Sequence, residues 1–276
     1  MSLKSPQSNL NIVYLDTSIL IAIFVHPSEI KSHIRSLLTG YDMRLTGLVA
    51  MQEFSRRLLK EAKYLLEQLN SKGSYQKVLS HLQFLPAQSQ RKFKICFSTL
   101  VNYFPDDSDS DRTDRMKLFL EELLESGTEE LLSNCVDSVV RGVGCASACQ
   151  KIKRKGSTFQ FPNDKCELHI QCGVGDFLKT CMARVPLTRF LEANSHQLTS
   201  ELQAGLKALQ QLEKNDCAGA SSLNPCLKFG DVLISLESRT ASTFMTMNYK
   251  ESVLLCEESG QKLIICPVNP SNIKAI

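Results

Sequence analysis

The chain has 276 residues, of which 43% are hydrophobic and 22% charged, with a formal net charge of +3. This balance is typical of a folded protein with one large domain, or with one domain that carries a big insertion. The net charge is too small to indicate nucleic-acid binding by itself, so any basic surface has to be local. No stretch reaches the roughly 20 apolar residues of a membrane span. The first residues lack the apolar core of a signal peptide, so we expect a cytoplasmic protein.

The chain contains 11 cysteines, an odd number, and eight of them fall between Cys135 and Cys226. Because the sequence shows no secretion signal, we do not expect a disulfide framework. Two interpretations of this cysteine-rich region stay open, namely buried thiols and a metal site.

The first apolar run, Ile12 to Leu15, ends in Asp16 and is followed by the hydroxyl residues Thr17 and Ser18. An apolar run then resumes up to Phe24, which is the pattern of a buried strand that ends in an acid and turns into a helix. Ligands of open parallel α/β sheets bind outside the carboxyl ends of the strands, so Asp16 is a candidate site residue. The structural alternative is that Asp16 only caps the helix.

The remaining elements alternate at the two ends of the chain and are mostly helical between them. Apolar spacing predicts helices over 29–38, 48–69, 75–84, 89–104, 111–126, 128–140, 176–183, 188–214 and 249–258, another that opens at Gly230-Asp231, and strands over 43–46, 158–161, 242–247 and 262–266. The simplest architecture is one α/β domain made of residues 1–69 and 225–276, with a mostly α-helical insertion over 70–224.

The segment 105–111 is rich in Asp and Ser. Its Asp-x-Asp spacing resembles a calcium loop, but the Gly and the distant Glu of an EF-hand are not at their places. We interpret this segment as a solvated loop, since short runs of Ser and Asp usually mark turns.

Four segments, taken in order, resemble the motifs of PIN-domain nucleases. They are Tyr14-Leu-Asp16-Thr-Ser18, Arg44-Leu-Thr-Gly-Leu-Val-Ala-Met-Gln-Glu53-Phe, Phe229-Gly-Asp231-Val-Leu-Ile and Phe244-Met-Thr246-Met-Asn248-Tyr-Lys250-Glu251. The resemblance covers about residues 10–69 and 225–270. It implies a three-layer α/β/α fold with a central parallel sheet, and the activity of a metal-dependent endoribonuclease.

The resemblance also assigns roles to residues of this chain. It makes Asp16, Glu53, Asp231 and Asn248 the catalytic set, with the first three as ligands of Mg²⁺ or Mn²⁺, and gives Ser18, Thr246 and Glu251 supporting roles. Hydrolysis of a phosphodiester needs charge stabilisation on the attacking and leaving oxygens, which two divalent ions supply. Hard cations of this kind take carboxylate oxygens as ligands.

Two other functions are compatible with parts of this pattern. A PIN-like binding or scaffold module with weak or no catalysis is favoured by the neutral Asn248 and by the modest net charge. A phosphatase of the haloacid-dehalogenase type also begins with an acid after a strand, but it needs a second Asp where Ser18 stands. In isolation Asp231 is a helix cap, Glu53 a solvated helix acid and Asn248 a turn residue.

The resemblance also implies partners, with RNA as the substrate. Many small relatives are toxins of bacterial toxin–antitoxin pairs, so a toxin-like or defence-type nuclease held by an inhibitory or regulatory protein is one expectation. The long insertion distinguishes this chain from such toxins, and we expect it to select the substrate, to form a homo-oligomer or to couple to another protein.

The segment 145–175 contains zinc-type ligands and basic residues together. The ligands are Cys145, Cys149, Cys166, His169 and Cys172, and the basic residues are Lys151, Lys153, Arg154 and Lys155. Short paired Cys and His spacings joined by a longer loop are typical of a structural Zn²⁺ site, with buried thiols as the alternative. The intervening residues 150–165 could then form a small hairpin. Basic residues near Phe159 and Phe161 suit an RNA backbone and stacked bases, with a solvated loop as the alternative.

Overall fold

The structure, a computed structural model, describes residues 10–26, 28–86, 95–96, 108–142, 152–156, 158–160, 173–214, 230–266 and 274–275. Its strands are β1 (Ile12–Leu15), β2 (Met43–Gly47), β3 (Ser138–Val140), β4 (Lys153–Lys155), β5 (Thr158–Gln160), β6 (Thr243–Thr246), β7 (Lys262–Ile265) and β8 (Lys274–Ala275). Its helices are α1 (Thr17–Val25), α2 (Ser28–Leu38), α3 (Leu48–Lys72), α4 (Tyr75–Gln83), α5 (Asp109–Ser126), α6 (Glu129–Leu132), α7 (Gly173–Thr180), α8 (Arg184–Ala193), α9 (Ser200–Lys214), α10 (Gly230–Ser238) and α11 (Tyr249–Ser259), with a 3-10 turn at Ser195–Gln197.

The central sheet has the strand order β3-β2-β1-β6-β7-β8. The first five strands in this order are parallel, and β8 is antiparallel to β7. The predicted α/β class with a central parallel sheet is therefore confirmed. Parallel strands are covered on both faces, which is why β1 and β6 are continuous apolar or β-branched runs.

Alternate residues of the strands enter two different cores. Val13 and Leu15 of β1 pack with α1, α2 and α3, whereas Tyr14 between them packs with α10 and α11 on the opposite face. Met245 and Phe244 of β6 divide in the same way. This period of two gives the sheet an apolar surface on both faces. The parallel pairing of β1 and β6 brings their carboxyl ends to one edge.

The segment 70–224 shares its cores with the two terminal parts of the chain. Helices α4, α5 and α6 contribute to the core that contains α1, α2 and α3, so they extend that helical layer. Helices α7, α8 and α9 pack with α10 and α11 and extend the layer on the other face. The strand β3 joins the sheet itself, next to β2.

The helix predicted over 128–140 is wrong, because only the four residues of α6 are helical and residues 138–140 form β3. The β-branched pair Val139 and Val140 favours a strand once a partner is present. That partner is β2, whose Arg44 guanidinium and backbone N–H both donate to the Asp137 carboxylate, at 2.8 and 2.7 Å to Oδ2. This clamp holds β3 at the edge of the sheet.

The single helix predicted over 188–214 is also wrong, since α8 and α9 are separated by the 3-10 turn. The Asn194 side chain donates to the Phe190 carbonyl at 2.9 Å and ends α8. Thr199 then caps α9 by accepting from the Leu202 amide at 3.3 Å. The leucine spacing that predicted one helix continues across the break because both helices bury leucines in the same core.

Two other predictions concern the middle of the chain. The hairpin expected within 150–165 is present as β4 and β5, which pair antiparallel. The predicted helix over 89–104 lies outside the described residues, apart from Ile95 and Cys96. Residues 105–107 also lie outside them, and Asp109 and Asp111 form the first turn of α5 after the cap Ser108.

The cysteines that the structure describes are free thiols, and most of them are buried. Cys96, Cys135, Cys256 and Cys266 are buried and Cys181 is half-buried. Among the described helices, none combines the length and the apolar character that crossing a membrane requires.

Candidate functional site

The site predicted from the sequence lies at the carboxyl ends of β1 and β6, the two central strands of the sheet. The chain leaves β1 towards β2 on one side, whereas β6 pairs with the other side of β1 and leads on to β7. The strand order therefore reverses between β1 and β6. In open α/β sheets this reversal opens a crevice at the strand ends, and ligands bind in it. Asp16 follows β1 and Thr246 ends β6, so both lie at the crevice.

The Asp16 carboxylate is held by two hydroxyl groups. Ser18 Oγ and Thr246 Oγ1 both donate to Asp16 Oδ2 at 2.7 Å. The Ser18 amide lies 3.4 Å from the same oxygen, and Asp16 is the N-cap of α1. Asp16 therefore does cap α1, as the structural alternative predicted. Asp16 is 9% exposed, so its side chain is nearly buried, and the contacts described for its carboxylate are all to Oδ2.

The two hydroxyl groups are themselves fixed by the backbone that follows β6. The Met247 amide donates to Ser18 Oγ and the Asn248 amide donates to Thr246 Oγ1, each at 2.9 Å. Each hydroxyl accepts a backbone N–H and directs its own proton at Asp16, which fixes its rotation. The supporting residues predicted for Asp16 therefore join the end of β1 to the end of β6.

Glu53 reaches the crevice from the second turn of α3. Thr17 Oγ1 donates to Glu53 Oε2 at 3.0 Å, so consecutive residues of the β1–α1 turn contact two of the predicted metal ligands. Glu53 is an exposed residue by its total surface. Partial desolvation of its carboxyl group raises the pKa of Glu53, the Thr17 hydrogen bond opposes that rise, and the Asp16 charge adds to it. Sequence analysis did not single out Thr17.

Asp231 lies in the first turn of α10 and is half-buried. Its pKa is raised to about 7, first by burial and then by the charges of Asp16, Glu53, Glu251 and Glu201. Charges act in this way only when they lie near one another in a medium that screens them poorly. Asp16, Glu53 and Glu251 therefore each lie within electrostatic range of Asp231.

Glu201 is an acid that sequence analysis missed. It lies in the first turn of α9, on a helix that packs against α10, and the Ser200 hydroxyl donates to its carboxylate at 2.8 Å. That hydrogen bond lowers the pKa of Glu201. An acid in the first turn of a helix is common, and no motif surrounds this one, so only the packing of α9 on α10 brings it near Asp231.

Asn248 is exposed and is the N-cap of α11, although its side chain accepts no capping hydrogen bond. Its backbone amide supports Thr246, and the next residues, Tyr249 and Lys250, are exposed beside it. Asn248 therefore lies at the rim of the crevice, and its backbone rather than its side chain contacts the other site residues.

The donor set at this crevice is chemically suited to a hard divalent cation. Asp16, Glu53 and Asp231 offer carboxylate oxygens, and their mutual repulsion, evident in the raised pKa of Asp231, is what a bound cation would relieve. Within the described residues, no three Asp, Glu, His or Cys side chains already stand together as a coordination group.

The predicted zinc ligands, Cys145, Cys149, Cys166, His169 and Cys172, lie outside the described residues, and so does the RNA-contact candidate Lys151. Of the other RNA-contact candidates, Lys153 belongs to β4 and Lys155 is exposed. Arg154 forms an ion pair with Glu125 of α5, and its guanidinium lies 5.6 Å from the ring centroid of the buried Phe159. The ion pair fastens the hairpin to α5, whereas the contact with Phe159 joins β4 to β5 within the hairpin.

Comparisons with known proteins do not identify a family for this chain. No protein-family model, no curated protein and no solved structure matches the chain.

Proposed function

We propose that the chain is a PIN-like, three-layer α/β/α protein that hydrolyses phosphodiester bonds in RNA as a metal-dependent endoribonuclease. The observation that supports this most strongly is the Asp231 carboxyl, whose pKa is raised to about 7 by burial and by four other carboxylates. Perturbed acids gathered in a crevice are candidates for a functional site. An acidic cluster without cations is unfavourable for a merely structural purpose.

Each side chain has a role in this proposal. Asp16 is the fixed ligand, since Ser18 and Thr246 both hold one of its carboxylate oxygens. Asp231 is the second ligand, and Glu53 is a third ligand or orients the attacking water. Bound Mg²⁺ or Mn²⁺ would supply charge stabilisation for the attacking and leaving oxygens. Glu251 adds negative charge at the rim and favours cation binding.

The choice of RNA rests on the PIN-like motifs, and the rim of the crevice is compatible with it. Lys250 and Tyr249 are both exposed next to Asn248. The positive charge of the lysine suits the phosphate backbone of single-stranded RNA, and the tyrosine ring beside it suits a stacked base. An inhibitory protein partner and a toxin-like role belong to the same proposal and follow from the motifs alone. The cytoplasmic location follows from the expected lack of a signal peptide, and the homo-oligomer from the long insertion.

The second candidate function is a PIN-like binding or scaffold module without catalysis. Asn248 favours it, because the amide brings no charge to the fourth position and its side chain is exposed at the rim. Such a module would retain the fold and bind RNA without cutting it.

The test is RNA cleavage by the purified full chain, with Mn²⁺, Mg²⁺ or EDTA and a labelled single-stranded RNA. We expect cleavage with Mn²⁺ and none with EDTA, and we expect Asp16→Asn and Asp231→Asn each to reduce cleavage to the level without protein. Asp176→Asn is the matched control, since Asp176 also follows a glycine and lies in the first turn of a helix, but it is not one of the acids whose charge acts on Asp231.

The control variant should cleave like the wild type. Cleavage that persists in both site variants would reveal a contaminating nuclease and refute the proposed site. RNA binding without cleavage under every metal condition would favour the binding module.

A further inference from the structure

The helix that carries Glu53 has no cap of its own. The N-cap of α3 is Gly47, which has no side chain, and the first turn of α3 contains no acid. The first four N–H groups of a helix have no partner within it, and the positive end of the helix dipole lies there. This terminus is in the interior, since Gly47 is buried, so an acceptor from elsewhere in the fold is required.

Glu237 of α10 supplies that acceptor. Its side chain is 2% exposed, and the Val49 amide in the first turn of α3 donates to Glu237 Oε2 at 3.2 Å. A carboxylate at this place satisfies an orphan donor and also neutralises the positive end of the helix dipole. The cap of α3 is therefore a residue of α10, 188 positions along the chain from Val49.

Gly47 is what allows the carboxylate to approach. A Cβ atom at position 47 would lie 2.1 Å from Glu237 Oε2 and 2.2 Å from the Tyr14 hydroxyl. Both distances are far inside van der Waals contact, so no other residue fits there without displacing these groups. The close approach of β2, α3 and α10 is thus built around the Glu237 carboxylate.

The two helices joined by this contact are the ones that deliver Glu53 and Asp231. Glu53 follows Val49 by one helical turn in α3, and Asp231 precedes Glu237 by less than two turns in α10. We propose that Glu237 is a positioning residue, which fixes α3 against α10 so that Glu53 and Asp231 can bind the same cation. This inference rests on the proposed function, because it presupposes that the crevice binds a divalent cation.

A buried carboxylate is an unfavourable choice if only packing is needed. A leucine has a similar volume and would avoid the desolvation of a charge, so replacing a buried ionic group by an apolar one is often neutral or stabilising. The hydrogen bond to α3 gives the carboxylate a purpose that a leucine cannot serve. Groups that orient metal ligands in this way typically change metal affinity by roughly 10- to 100-fold when they are removed.

The experiment measures Mn²⁺ binding to the full chain by electron paramagnetic resonance, which reports free Mn²⁺ and does not depend on cleavage. We expect Glu237→Leu to raise the Mn²⁺ Kd by roughly 10-fold or more. Glu237→Gln keeps an oxygen acceptor of the same reach and should stay within about 3-fold of the wild type.

Glu61→Leu is the matched control. Glu61 is also a buried carboxylate of α3 that accepts backbone amides, from Ile95 and Cys96, but it lies two turns beyond Glu53. We expect it to lower the thermal stability and to leave the Mn²⁺ Kd unchanged. If Glu237→Leu does not fold, Glu237→Asp replaces it, since its shorter side chain should also weaken Mn²⁺ binding.

The outcomes separate the two proposals. A wild-type chain that binds no Mn²⁺ refutes the proposed function and the inference with it. Wild-type binding that is unchanged in Glu237→Leu, or in Glu237→Asp, refutes the inference alone. If Glu237→Gln and Glu61→Leu both weaken Mn²⁺ binding as much as Glu237→Leu does, Mn²⁺ affinity follows general stability. That result would also overturn the inference.

Discussion

The crevice has two walls, and they are built on different physical principles. The strand wall consists of Asp16, Ser18 and Thr246 at the ends of β1 and β6, and it is fixed by short hydrogen bonds. The helix wall consists of Glu53 and Asp231 on α3 and α10, and the pKa of each is raised by burial and by neighbouring charge. The strand wall is therefore organised in the absence of a cation, whereas the helix wall is under electrostatic repulsion that a cation would relieve.

This difference assigns separate tasks to the two walls. A ligand that is already oriented loses little conformational entropy on binding, so the strand wall sets where a cation would bind. Repelling carboxylates gain most when a positive charge arrives, so the helix wall sets how strongly binding depends on pH and on the cation. Substitutions in the two walls should consequently give different signatures.

The largest effect on stability is expected where the helix wall is anchored. Gly47→Ala would drive a methyl group into the Glu237 carboxylate and the Tyr14 hydroxyl. We expect the free energy of unfolding to fall by about 3 kcal/mol, in the upper range for overpacking a core, as measured by urea denaturation. Gly230→Ala is the control, since nothing lies within 4 Å of a Cβ at that position, and it should change stability by less than about 1 kcal/mol. Equal effects of the two substitutions would contradict the close approach at Gly47.

The second prediction concerns pH and follows from Asp231. Its folded-state pKa of about 7 lies above the value of roughly 4 expected in the unfolded chain. Between these values the folded state binds more protons than the unfolded state, so stability falls as the pH rises through that window. Below the unfolded pKa this loss is absent, and above the folded pKa it is complete.

A difference of about three pKa units corresponds to about 4 kcal/mol, and solvent screening of the half-buried carboxyl reduces this value. Without divalent cations we therefore expect a loss of about 2 kcal/mol between pH 4 and pH 7.5 that Asp231→Asn removes. The measurement is the difference between wild type and variant in urea denaturation at each pH, which cancels the contributions of other groups. Mn²⁺ at about 100 times its Kd should restore roughly 2.7 kcal/mol to the wild type at pH 7.5. A wild-type curve that runs parallel to that of Asp231→Asn would show that the Asp231 carboxyl is not perturbed.

The strand wall is the part of the site that the sequence predicts well. β1 begins and ends at the predicted residues, and a parallel strand that is buried on both faces has a strong signal in a short apolar run. Asp16 and Thr246 stand where these runs end, so their positions follow from the strand ends. Their hydrogen bond additionally requires β6 to pair with β1, which an apolar pattern does not specify.

The helix wall was predicted less completely, because it depends on packing over long distances. The period of α3 predicts its apolar face, but not that Glu237 caps it from α10. Glu201 has no local signal, since an acid at a helix start has the same sequence pattern whether or not it faces a site. β3 was predicted as helix for the same reason, because its three residues become a strand only by pairing with β2.

The smallest predicted effect tests whether the strand wall is organised by its hydroxyl groups. Thr246→Val removes the hydroxyl that donates to Asp16 Oδ2 and keeps the shape of the side chain. Thr243→Val is the control on the same buried strand. We expect Thr246→Val to weaken Mn²⁺ binding by roughly 10-fold, or about 1.4 kcal/mol, because Ser18 still holds Asp16.

The control should leave the Mn²⁺ Kd unchanged. The pH dependence of stability between pH 4 and 7.5 is the second readout, and it should be the same in Thr246→Val as in the wild type, because that dependence arises from Asp231 on the helix wall. A Thr246→Val chain that binds Mn²⁺ normally but loses the pH dependence would reverse the assignment of tasks to the two walls. The carboxylate at the end of β1 would then be oriented by its position in the fold, with its hydroxyl partners serving only to satisfy a buried charge.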